Sequence, residues 1–129
     1  MMSEESECHP VVVDFSSTLS GVVIVAPSTM EGFAIEARCL TLDRCGVGDT
    51  LEEALEDLDE DVYHYLAKAA ARGSVAIIPD KVVQRQLEEF RGDNPDSCEM
   101  ERLLDREIGQ WRIRIQLRVI VSDEELCSA

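Results

Sequence analysis

Apolar positions change their spacing several times along this chain, and each change predicts an element. Pro10-Val11-Val12-Val13-Asp14-Phe15 is short and β-branched, and Gly21-Val22-Val23-Ile24-Val25-Ala26 repeats that character after a Ser/Thr-rich break. Two strands, or one strand and a bulged extension of it, fit this pattern equally well. Beyond Pro27, the stretch Ser28-Thr29-Met30-Glu31-Gly32 has turn chemistry, and Phe33, Ile35, Ala37 and Cys39 then fall on one face, which predicts a β-hairpin.

The period lengthens at Gly48-Asp49-Thr50-Leu51-Glu52-Glu53-Ala54-Leu55. Asp49 or Thr50 is placed to accept hydrogen bonds from the free N–H groups of a first helical turn, and the early glutamates sit where the helix dipole favours carboxylates. Leu51, Leu55, Leu58, Val62, Leu66 and Ala69 recur at helical spacing, and Arg72-Gly73 supplies a stop. The helix so predicted runs about 22 residues, roughly 33 Å at the standard rise.

Ser74-Val75-Ala76-Ile77-Ile78 reads as a strand closed by Pro79, and Asp80 as the cap of a second helix with Val82, Val83, Leu87 and Phe90, ending near Gly92. Asp93-Asn94-Pro95-Asp96 is a loop. Ser97 then opens a predicted third helix, with Met100, Leu103, Leu104 and Ile108 on its apolar side. From Trp111 to Val121 the period falls to two: Trp111, Ile113, Ile115, Leu117, Val119 and Val121 alternate with Arg112, Arg114, Gln116, Arg118 and Ile120, as in a half-buried strand. The fold expected is α+β, with an antiparallel-rich sheet, one long helix (residues 51–72) packed on one face, two short helices and a long C-terminal strand. Residues 1–9, acidic and aperiodic, are expected as a flexible tail before a single domain of residues 10–129.

Charge narrows the function. Twenty-seven acidic residues against 12 basic ones give a formal net charge of -15, a field that repels phosphate backbones and anionic membranes and suits a basic partner. The acidic start and the lack of an apolar run of about 20 residues lead to the expectation of a cytoplasmic protein. Cys8, Cys39, Cys45, Cys98 and Cys127, odd in number and irregularly spaced, are expected as free thiols.

No catalytic, metal or cofactor site is expected. His9 and His64 lack spaced partners, Cys39 and Cys45 make at most half a metal site, and Gly46-Val47-Gly48 lacks the lysine and further glycines of a phosphate loop. The carboxylates from Glu52 to Asp61 read first as a solvated helix face. Arg112, Arg114 and Arg118 could face a DNA groove as a β-ribbon does, but too little chain follows for the two helices such a reader needs.

The strand, Gly-containing turn, strand and Gly48-Asp49-Thr50-Leu51-Glu52-Glu53-Ala54 helix start over residues 21–72 resemble the HicB-like antitoxin family. That resemblance implies a partial RNase H-like core, here about residues 21–78 with an extension at 79–129, in a non-catalytic protein that masks a small basic RNA-cleaving toxin. The family often adds a DNA-binding element. This chain has Leu42-Asp43-Arg44-Cys45 where the family has a Leu-Pro-Gly-Cys segment. The candidate partner-binding residues are Arg112, Arg114, Arg118, Glu56, Asp59 and Glu60. A homodimer joined through Trp111, Ile113, Ile115 and Leu117 is also expected, because a long regular edge strand invites pairing with its copy. The alternative to an antitoxin is a solitary homo-oligomeric adaptor.

Overall fold

A computed structural model describes residues 10–16, 18–29, 31–123 and 125–126. The expected tail at residues 1–9, with Cys8 and His9, and Cys127 lie outside these. Strands β1 (Val11–Asp14) and β5 (Ser74–Ile77) pair antiparallel as a separate two-stranded sheet, so the first two β-branched runs are two strands in different sheets. The main sheet has the order β4-β3-β2-β7-β6, with β2 at Leu19–Pro27, β3 at Ile35–Cys39, β4 at Arg44–Gly48, β6 at Cys98–Ile108 and β7 at Trp111–Val121. β2 and β7 are parallel; every other pair is antiparallel. The expected hairpin is β2–β3, with Ile35, Ala37 and Cys39 buried and Phe33 exposed outside the strand.

Helix α1 (Leu51–Ala69), extended by a 3-10 turn at Ala70–Arg72, covers one face of this sheet. Thr50, rather than Asp49, is its cap: the hydroxyl accepts from the Glu53 N–H at 3.1 Å, while the Glu53 carboxylate accepts from the Asp49 N–H at 3.1 Å. Two otherwise orphaned donors are thus satisfied reciprocally. The helix stops at Gly73, whose φ of 69° is left-handed and open to glycine. Its stripe of Leu51, Ala54, Leu55, Leu58, Val62, Leu66 and Ala69 is buried against Val23, Val25, Ala37, Ile115 and Val119. Gly46 and Gly48 let α1 approach β4 closely, since a Cβ on Gly46 would lie 2.2 Å from the Leu58 backbone nitrogen and one on Gly48 would lie 2.7 Å from that of Ala54.

Helix α2 (Asp80–Asp93) packs on the opposite face, where Val83 and Leu87 cover Val22, Leu40 and Ile120. The second helix therefore adds a third layer beside β2 and β7. Asp80 is its first residue and not its cap; Pro79 holds the cap position without a side-chain bond.

Two expectations are corrected here. The predicted third helix at 97–108 is strand β6, joined to β7 by a turn at Gly109-Gln110, with Ile108 opposite Trp111. Its inward face carries Arg102, Leu104, Arg106 and Ile108, and the two arginines hide the period of two. Each has a partner there: Arg102 donates to Asp59 at 2.7 Å, and the Arg106 guanidinium lies 5.5 Å from the centre of the Tyr63 ring.

The second correction concerns the expected dimer strand. β7 pairs with β6 along its whole length and with β2 from Ile115 to Val121, so over those residues it is an interior strand without the long free edge that pairing with a copy needs. Ile113, Ile115 and Leu117 are core residues. Trp111 packs edge-to-face on Phe15 at 5.9 Å and donates its indole N–H to the Ala70 carbonyl at 3.1 Å, which ties the start of β7 to the end of α1.

Candidate functional site

Charged chemistry concentrates on the outward face of the β6–β7 hairpin and on the exposed side of α1. On the hairpin, the odd residues of β6 and the even residues of β7 project to the side that bears α2. Cross-strand register sets Glu107 opposite Arg112, Asp105 opposite Arg114 and Glu101 opposite Arg118. Arg112 donates to both oxygens of Asp105 at 3.1 Å each, and Arg114 donates to the same carboxylate at 3.2 Å. Arg118 holds Glu99 through two bonds of 3.1 and 3.0 Å, and Arg91 of α2 reaches the same carboxylate at 2.8 Å. The bonds from Arg118 push the Glu99 carboxyl below its ordinary range, and those from Arg112 do the same to Asp105.

On α1, Asp59 and Asp61 are likewise engaged. Asp61 takes Arg44 at 2.7 and 3.0 Å, which lowers its pKa, and Arg44 also stacks on Tyr65. Asp59 takes Arg102. The Asp57 carboxylate accepts from the Val47 N–H at 2.9 Å. Glu56 is exposed and makes no side-chain bond among the described residues, and exposed Glu60 has only His64, at 3.7 Å.

The candidate partner-binding residues thus fall into two places that the fold keeps apart. Arg112, Arg114 and Arg118 lie on the hairpin face, engaged by their own carboxylates. Glu56, Asp59 and Glu60 lie on α1 across the sheet, with Asp59 half-buried under Arg102. Glu99, Glu101, Leu103 and Asp105 were missed as a surface, because residues 97–108 read as a helix. The available signal was the alternation of Glu99, Glu101, Leu103, Asp105 and Glu107, mirrored by the arginines beyond Gly109.

A cavity of about 320 Å³ between β1, the start of β2 and α2 is lined by Thr18, Ser20, Cys39, Thr41, Ile77 and Asp80 among others. Burial pushes the Cys39 thiol up to about 11, so it stays protonated near neutrality and is a poor nucleophile. Cys39 and Cys45 are free, whereas Cys98 is disulfide-bonded, which corrects the expectation of free thiols throughout. Among the described residues, no three His, Cys, Asp or Glu side chains converge as metal ligands, and no helix is long and apolar enough to cross a membrane. Compared with family models, curated proteins and solved structures, the chain matches none.

Proposed function

We propose that this protein is a non-catalytic binding module that masks a small basic partner, in the manner of a HicB-like antitoxin or a derivative of one. The observation that carries this reading is where the cations go. At least seven of the ten arginines, those at positions 38, 44, 91, 102, 112, 114 and 118, are paired with the chain's own carboxylates. The excess of acid is therefore left on the outside, with Glu52, Glu53, Glu56, Asp57 and Glu60 exposed along α1. Such a surface attracts a basic protein and repels nucleic acid, and it steers encounter most strongly at low salt.

The antitoxin reading is tested by co-expression with the product of a small basic reading frame neighbouring this one. That product is expected to arrest growth alone, and this protein to relieve the arrest. The Glu56→Lys, Glu60→Lys double variant should relieve it less. If the neighbouring product is harmless, or relief is unchanged by charge reversal, the masking mechanism fails.

A further inference from the structure

We infer that the free edge of β6 is a docking site for an extended basic segment of a partner protein, taken up as a sixth strand of the main sheet. This rests on the reading of a basic partner and names where it binds.

β6 is the last strand of the sheet, and among the described residues no element pairs with its outer edge. In an antiparallel pair, alternate residues turn their N–H and C=O groups toward and away from the neighbour, and a two-residue turn closes on a bonded pair. Ile108 opposite Trp111 is that pair, so Glu99, Glu101, Leu103, Asp105 and Glu107 direct their backbone donors and acceptors to the open edge. Their side chains share the outward face. Leu103 is 58% exposed at the centre of four carboxylates, and Glu101 makes no side-chain bond among the described residues.

Charge decides between occupants. A second copy added antiparallel keeps each face on its own side and opposes this row to itself. With Leu103 against Leu103, Glu101 meets Asp105 and Glu99 meets Glu107, and like charges directly opposite are destabilising. A strand with lysine or arginine at alternate positions around an apolar residue reverses each of those terms. It would flank the acidic row on one side as Arg112, Arg114 and Arg118 already flank it on the other. Main-chain hydrogen bonds supply affinity in such strand addition, and alternate side chains supply specificity.

The test uses the full chain and an eleven-residue peptide, matching β6 in length, in which lysine alternates with threonine around a central leucine. A control peptide carries glutamate for each lysine. The basic peptide is expected to slow hydrogen exchange at the Glu101, Leu103 and Asp105 amides, and the acidic peptide to leave them unchanged. Glu101→Lys should weaken binding about three- to tenfold. Leu103→Pro removes an N–H that no described strand uses, so it should keep the fold and abolish binding. Equal binding by Leu103→Pro, or no protection along β6, overturns the inference. Protection at Glu56 and Glu60 instead would sink the edge while leaving the basic-partner reading standing. Binding to neither surface would sink both. Self-association of the unliganded chain that Leu103→Pro abolishes would make the occupant a second copy and also overturn it.

Discussion

The two edges of the main sheet differ in how the chain treats them. At β4 the edge is closed from within. Gly46 and Gly48 draw α1 onto the strand, Asp61 grips the Arg44 side chain and Asp57 accepts the Val47 N–H, so a helix made for packing also occupies a backbone donor that a foreign strand would need. At β6 nothing comparable is in place among the described residues: from Glu99 to Glu107 the outer edge has no partner strand, and a row of carboxylates lies along it. Both are recognised ways to keep a sheet edge from aggregating, but only the second leaves the edge usable by a partner of opposite charge.

The largest effect should come from breaking the closed edge at its tightest contact. Gly46→Ala places a Cβ against the Leu58 and Ala54 backbone, which cannot turn aside as a side chain could, and should cost about 3 kcal/mol, the upper end for overpacking. Gly92→Ala meets nothing within 4 Å near the end of α2 and should stabilise by about 0.5–1 kcal/mol. Urea midpoints for the two variants moving in the same direction would refute the close-approach account of Gly46.

A gentler break unlatches β4 without moving α1. Asp57→Ala leaves the Val47 N–H without its acceptor and should lower stability by about 0.5–1.5 kcal/mol. Exchange of the Val47 amide should accelerate while the β6 amides keep their native rates. Asp57→Asn retains a carbonyl acceptor and should restore most of the loss. Unaltered Val47 exchange in Asp57→Ala would show that the carboxylate does not guard this edge.

Much of this architecture was legible in the sequence. The helix cap at Asp49 or Thr50, the α1 stripe and the alternation from Trp111 to Val121 each rest on local chemistry, and the structure forms all three, with Thr50 as the cap. What escaped reading depended on distant partners. Residues 97–108 read as a helix because Arg102 and Arg106 stand where apolar residues would reveal a period of two, and their partners, Asp59 and Tyr63, lie some 43 residues earlier in the chain. That one error displaced the supposed edge from β6 to β7. It also leaves Arg112, Arg114 and Arg118 looking like a binding row, because the carboxylates that occupy them read as part of a helix. The glycines of β4 were legible only as a failed phosphate loop, since nothing local shows that a helix comes to rest on them.

The smallest effect sharpens the other half of the comparison, the acidic edge itself. Glu99 and Asp105 have carboxyl pKa values lowered from ordinary values of 4.5 and 3.8 by the arginines of β7. A group whose folded pKa is depressed contributes stability that is present above its unfolded pKa and is lost as pH falls through the folded value. The ladder should therefore hold fully at pH 6 and weaken below about pH 4.5, where Glu99 of the unfolded chain begins to take up protons, and its contribution is lost as pH falls through the lowered folded values of Glu99 and Asp105. Because both carboxylates sit at the surface, solvent and salt screen the pairs and the change should be slight. Urea midpoints measured between pH 6 and pH 3 should fall less steeply for a Glu99→Gln, Asp105→Asn variant than for the native chain, and the difference should shrink in 1 M salt. If the two chains lose stability in parallel over that window, the arginine row does not hold the β6 carboxylates ionised, and the open edge carries its charge without help from β7.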